Sequence, residues 1–188
     1  MGTRNLTVVQ HDGQYKLAQY GQWDGYPSGQ GKTILEFLRD KFDREKFISR
    51  LNACKLLSDE EVAALDKDFS ADDWTKLYPS LSRDTAAEVL EYIQESTEPV
   101  PIQKDFSFAG DSLFCEWAYV IDLDANMFEV YKGFNQTPVL GGSRFYDLQN
   151  KLTSDSTDKY YPVRLEYAWR LEALPTNEEF LTALNDIE

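Results

Sequence analysis

The chain has 188 residues, of which 42% are hydrophobic and 14% aromatic, and its 33 Asp and Glu against 19 Lys and Arg leave a net charge of −14. A chain of this length buries about 70% of the surface its unfolded form would expose, so its core requires neither metal nor disulfide. The acidic field disfavours direct binding to nucleic acid or anionic membranes, and no apolar run approaches the roughly 18 residues that a membrane span requires.

The charge is unevenly spread. Residues 1–57 carry nine Lys or Arg and six Asp or Glu, whereas residues 58–188 carry ten and twenty-seven. This later acidity would attract a basic protein partner, or simply solubilise the surface. The opening MGTRNLTVV has no hydrophobic signal core, and Leu6 stands where a myristoylation signal wants Ser or Thr. A cytoplasmic or nuclear location is expected, with Cys54 and Cys115 reduced and the sequons at Asn5 and Asn135 silent.

In chain order, Leu6, Val8 and Gln10 alternate with Thr7 and Val9, then Asp12-Gly13 separates this run from Tyr15–Gln22. Asp-Gly between alternating runs predicts a hairpin, because Gly accepts the positive φ of a tight turn. Residues 23–31, with three Gly and one Pro, read as irregular. The apolar spacing of Leu35, Leu38, Phe42, Phe47, Ile48 and Leu51 predicts a helix over 32–55, bent near Asp43. Ser58 and Glu61 form a capping box for a short helix ending near Lys67. Asp72-Asp73-Trp74 suggests a further helical turn, and Ser82 caps a helix over 83–94.

The second half reads as strands. Residues 113–123 and 127–133 form a second hairpin across Asp124-Ala125-Asn126. A turn at Gly141-Gly142 leads to a short helix near 145–152, followed by a loop from Thr153 to Asp158. A strand follows over 161–171, and Thr176 and Glu179 form a capping box for a terminal helix. This order is not regular strand–helix alternation. It predicts an α+β fold in one domain, 1–188: a mostly antiparallel sheet built from the N- and C-terminal halves, with an inserted helical segment (32–98) packed on it.

Several patterns resemble functional motifs and fail on detail. Gly31-Lys32-Thr33 opens a helix as a phosphate-binding loop does, but the position needing Gly is Tyr26, and Pro27 removes an amide. Asp122, Asp124, Asn126 and Glu129 resemble the start of a calcium loop, but Met127 replaces its Gly and Gly133 its final Glu. His11 sits at a turn, and Cys115 lies within an apolar strand where packing is its ordinary role. No metal and no cofactor is assigned.

The segment from Gln22 to Lys32 remains as a site. Trp23 and Tyr26 could stack on a ligand, Gln22, Asp24 and Gln30 could orient it, and Lys32 or Arg4 could meet negative charge. The amides opening the following helix could bind an anion. Glu116, inside an apolar strand, would be costly to bury unpaired, and Arg4 is the expected ion-pair partner.

The blocks MGTRNL, AQYGQWDGYPSGQG, PSLSRDTAAEVL and DSLFCEWAYVIDLD resemble, over nearly the whole chain, a protein family widespread in filamentous fungi. Looser bacterial and phage relatives share the opening and the DGYP loop. The resemblance implies kinship and carries no activity, cofactor or site residue with it. The residues thus predict a binding protein with a pocket for a small anionic or polar ligand at the DGYP loop. The alternatives are a hydrolase using Asp24 or Glu116 as general base, or an acidic protein that occupies a basic, nucleic-acid-binding partner.

Overall fold

Asp12 and Gly13 both take positive φ, 53° and 66°, so the first hairpin turns where the sequence places it, joining β1 (Asn5–His11) to β2 (Gln14–Gly21). The computed structural model describes residues 2–68, 76–151 and 159–185. The expected turn at Asp72-Asp73-Trp74 and the loop at Thr153–Asp158 lie outside them. After two short parallel strands, β3 (Lys55–Leu56) and β4 (Pro101–Ile102), come β5 (Trp117–Asp122), β6 (Met127–Lys132) and β7 (Arg164–Arg170). The main sheet has the order β2-β1-β5-β6-β7. Every pair in it is antiparallel except β1–β5. The fold is α+β, with the sheet built from both halves of the chain.

β5 lies in the middle of the sheet and all six of its residues are buried. This is the burial of a strand covered on both faces. Successive side chains point to opposite faces, and the core divides accordingly. Val9, Leu17, Tyr119, Ile121, Phe128 and Val130 meet the helices, while Leu6, Val8, Ala18, Ala118, Val120 and Tyr131 meet the opposite layer. The helices are α1 (Lys32–Glu36), α2 (Arg44–Ala53), α3 (Asp59–Asp68), α4 (Val89–Glu95) and α5 (Asn177–Ala183), of which α1, α2, α4 and α5 supply buried residues to the helical layer. Phe180 of α5 stacks on Phe128, ring centroids 6.0 Å apart. The opposite layer is irregular, made of tight turns at Phe106–Gly110 and Tyr146–Lys151 with Phe145 and Val163. Among the described residues no helix is long and apolar enough to cross a membrane.

The helical segments depart from expectation in three places. Pro27–Gly31 is a π-helical turn that runs directly into α1. Pro at a first helical position costs nothing, because its missing N–H would be unsatisfied there anyway. The helix expected over 32–55 breaks at Phe42, which takes an extended ψ of 115°. Buried Gln94 spans the break: its amide donates to the Lys41 carbonyl and its Oε1 accepts from the Asp43 N–H, while the Asp43 side chain caps α2 by accepting from the Lys46 N–H. The helix expected from Arg83 begins as a 3-10 turn at Ala86, and regular α geometry starts at Val89. Ala86 takes φ 42° there, and the side-chain Oε1 of Gln30 accepts from the Ala87 N–H. Both capping boxes form, at Ser58–Glu61 and Thr176–Glu179.

Candidate functional site

The DGYP loop is a tightly folded corner. Gly25 donates its N–H to the Thr3 carbonyl at 2.9 Å, and buried Tyr119 donates its hydroxyl to the Gly25 carbonyl at 2.7 Å. A Cβ on Gly31 would stand 2.9 Å from the Tyr119 ring, so this glycine admits the strand residue beneath the helix start. The amides expected to bind an anion are spent internally. Those of Gly29 and Gly31 donate to the Tyr26 carbonyl and that of Gln30 to the Asp24 carbonyl.

The expected ligand contacts are used in the same way. Trp23 packs on Gly2 and donates its indole N–H to Asp84 at 2.9 Å. Gln22 accepts from the Tyr20 hydroxyl at 2.6 Å, and Lys32 lies 3.7 Å from Glu36. Asp24 sits exposed at φ 52°. Trp23 and Tyr26 are 47% and 49% exposed, so they lie on the outer surface rather than sealed in the core. Glu116 does meet Arg4, but its carboxylate accepts from the Arg4 backbone N–H at 3.2 Å. The Arg4 guanidinium lies over the Phe114 ring, 4.6 Å from its centroid. The expected Arg4–Glu116 ion pair is therefore replaced by a main-chain hydrogen bond and a cation–π contact. Arg4 and Glu116 thus meet at the start of β1 through the main chain.

A cleft of about 1020 Å³ opens on the other face of the sheet. Strand alternation builds its floor. Gln10 follows Leu6 and Val8 on one side of β1, Asp122 follows Ala118 and Val120 on the same side of β5, and Glu129 and Tyr131 of β6 stand opposite Val120 and Ala118. Four polar groups thus project into an otherwise apolar layer. Arg144, just after the Gly141-Gly142 turn, inserts its guanidinium among them. Its Nε and Nη2 donate to the two Glu129 oxygens, each at 2.8 Å, its Nη2 also donates to Asp122 Oδ2 at 2.7 Å, and its Nη1 donates to Gln10. The side chains of Arg144, Asp122 and Glu129 are only 11%, 7% and 14% exposed.

Burial alone would lower the Arg144 pKa, but the hydrogen bonds and charges of Glu129 and Asp122 outweigh it and raise it above the ordinary value. The Tyr131 hydroxyl donates to Glu129 at 2.7 Å, and burial followed by the Glu129 charge raises its pKa well above the usual tyrosine range. Asp122 Oδ1 accepts from the Asp124 and Ala125 amides, which fixes the carboxylate at the hairpin turn. Val139, Leu140, Ser143, Val163 and Leu165 contribute to the cleft walls. Each carboxylate is tied to Arg144. Neither is the poised, unpaired group that general-base catalysis requires.

Asp122 and Glu129 were visible in the sequence as parts of a calcium-like pattern, but they belong instead to this network. The stronger signal was their place as polar residues at inward positions of apolar strands. Arg144 carried no local signal. At the neighbouring turn, His11, Asp12 and Asp124 bring possible metal-binding atoms within 4.8 Å of one another. The Asp124 oxygens already accept from the Asp12 and Gly13 amides, 2.9 Å each, and these bonds lower the Asp124 pKa. The group therefore braces the hairpin. No family model, curated protein or solved structure matches the chain.

Proposed function

We propose that the chain is a binding protein for a small polar molecule, held in the cleft over Arg144, Asp122 and Glu129 rather than at the DGYP loop. The observation that carries this reading is a buried network of three charges on the floor of an open cleft. Buried ions cost several kcal/mol each in desolvation, and well-packed apolar residues often do as well for stability. Their retention beside a cleft of ligand-binding size favours recognition. The polar groups of the DGYP loop, by contrast, are largely consumed in holding the corner together.

Chemical-shift mapping of the full chain against a library of small polar fragments tests the reading. Shifts clustered at Tyr15, Arg144 and Val163 are expected, and Trp23→Ala should leave them unchanged. Shifts centred on Trp23 and Tyr26, or none at all, would overturn it.

A further inference from the structure

Resting on that reading, we infer that the cleft selects an organic ammonium: a small molecule with a primary amine and an apolar body. Charge count and hydrogen-bond count both point this way. On the floor, the carboxylates of Asp122 and Glu129 face the single guanidinium of Arg144, which leaves one negative charge in excess. Gln10 accepts from Arg144 and lies beside a third carboxylate, Asp124. The other cleft cation, Arg164, is 3.1 Å from Glu166 and so adds no net charge.

Donor capacity is nearly exhausted on the same floor. A guanidinium has five N–H groups, and the bonds from Nε, Nη1 and Nη2 of Arg144 use four. Acceptor capacity remains. Among the described residues, Glu129 Oε1 and Asp122 Oδ2 each accept a single hydrogen bond, both from Arg144 Nη2. A carboxylate oxygen has room for two. An incoming anion would meet excess negative charge and few donors. An ammonium brings three donors, no acceptor and the missing positive charge. Its apolar body can lie against Tyr15, Val163 and Leu165, which line the same cleft. The acidity of the whole chain, −14, adds a long-range attraction for cations.

The test uses three probes that share one ring and differ in charge: benzylamine, benzyl alcohol and benzoate, each titrated into the full-length chain and followed by cleft chemical shifts. Benzylamine should bind at least about tenfold tighter than the other two, a difference of about 1.4 kcal/mol. That preference should weaken at about 1 M salt, where the long-range attraction is screened to about 3 Å, and persist in part, because buried pairs are screened much less. In Glu129→Gln the preference should vanish while benzyl alcohol binding persists. The ranking in the unmodified chain stands by itself should that variant fail to fold. Benzyl alcohol or benzoate binding in the cleft as tightly as benzylamine would overturn the ammonium assignment and leave the binding reading intact. No cleft shift with any probe, or with the fragment library, would overturn both.

Discussion

Replacing Arg144 by Met removes the one cation that neutralises the cleft floor and keeps most of its apolar stem volume. Four donors disappear from Glu129, Asp122 and Gln10. Two carboxylates remain, 7% and 14% exposed, too buried for water to replace the guanidinium fully. Breaking a buried pair by deleting one partner costs about 3–5 kcal/mol, because the stranded charge stays desolvated. A protein of 150–250 residues loses about 2–4 °C of Tm per kcal/mol. Arg144→Met should therefore melt roughly 6–20 °C below the parent chain, by circular dichroism at neutral pH. Adding Asp122→Asn and Glu129→Gln removes the stranded charges and should recover most of the loss. A single variant melting within about 2 °C of the parent, with no recovery in the triple variant, would refute the view that these charges are mutually dependent.

Five further outcomes follow from the packing. Tyr119→Phe removes the hydroxyl that donates to the Gly25 carbonyl and should cost about 1–3 kcal/mol in urea unfolding, and Gly31→Ala, whose Cβ would enter the Tyr119 ring, should also destabilise. The thiols should resist alkylation in the native state at pH 8, because burial pushes Cys54 up to about 11 and Cys115 higher still. Above the ordinary thiol value of about 9 the unfolded chain ionises before the folded one, so stability should fall as pH rises past that point, as pH-dependent unfolding would show. Finally, Trp23→Phe should lose the Asp84 contact and loosen the exposed corner, seen as faster amide exchange at Gly25 and Gln30, without altering any binding in the Arg144 cleft.

Features decided by neighbours in sequence were legible without the structure. Asp12-Gly13 makes its turn through its own backbone preferences, and Ser58–Glu61 and Thr176–Glu179 cap helices with partners three residues away. Strand alternation likewise gave the α+β class and the residues that share a sheet face. The bend near Asp43 was legible, but the bonds that span the break at Phe42 were not, because they come from Gln94, some fifty residues onward. Nor was the closure of the DGYP corner, whose key hydroxyl comes from Tyr119, ninety-four residues away.

The cleft shows the same division. Sequence alone placed Gln10, Asp122 and Glu129 within predicted strands, and it raised the need of a buried carboxylate for a partner only at Glu116. Only tertiary structure decided that the partner is Arg144, 15 residues from Glu129, 22 from Asp122 and 134 from Gln10. The physical reason is range. Backbone preference and periodicity act over a few residues, whereas neutralising a buried charge depends on which distant loop the fold lays across it.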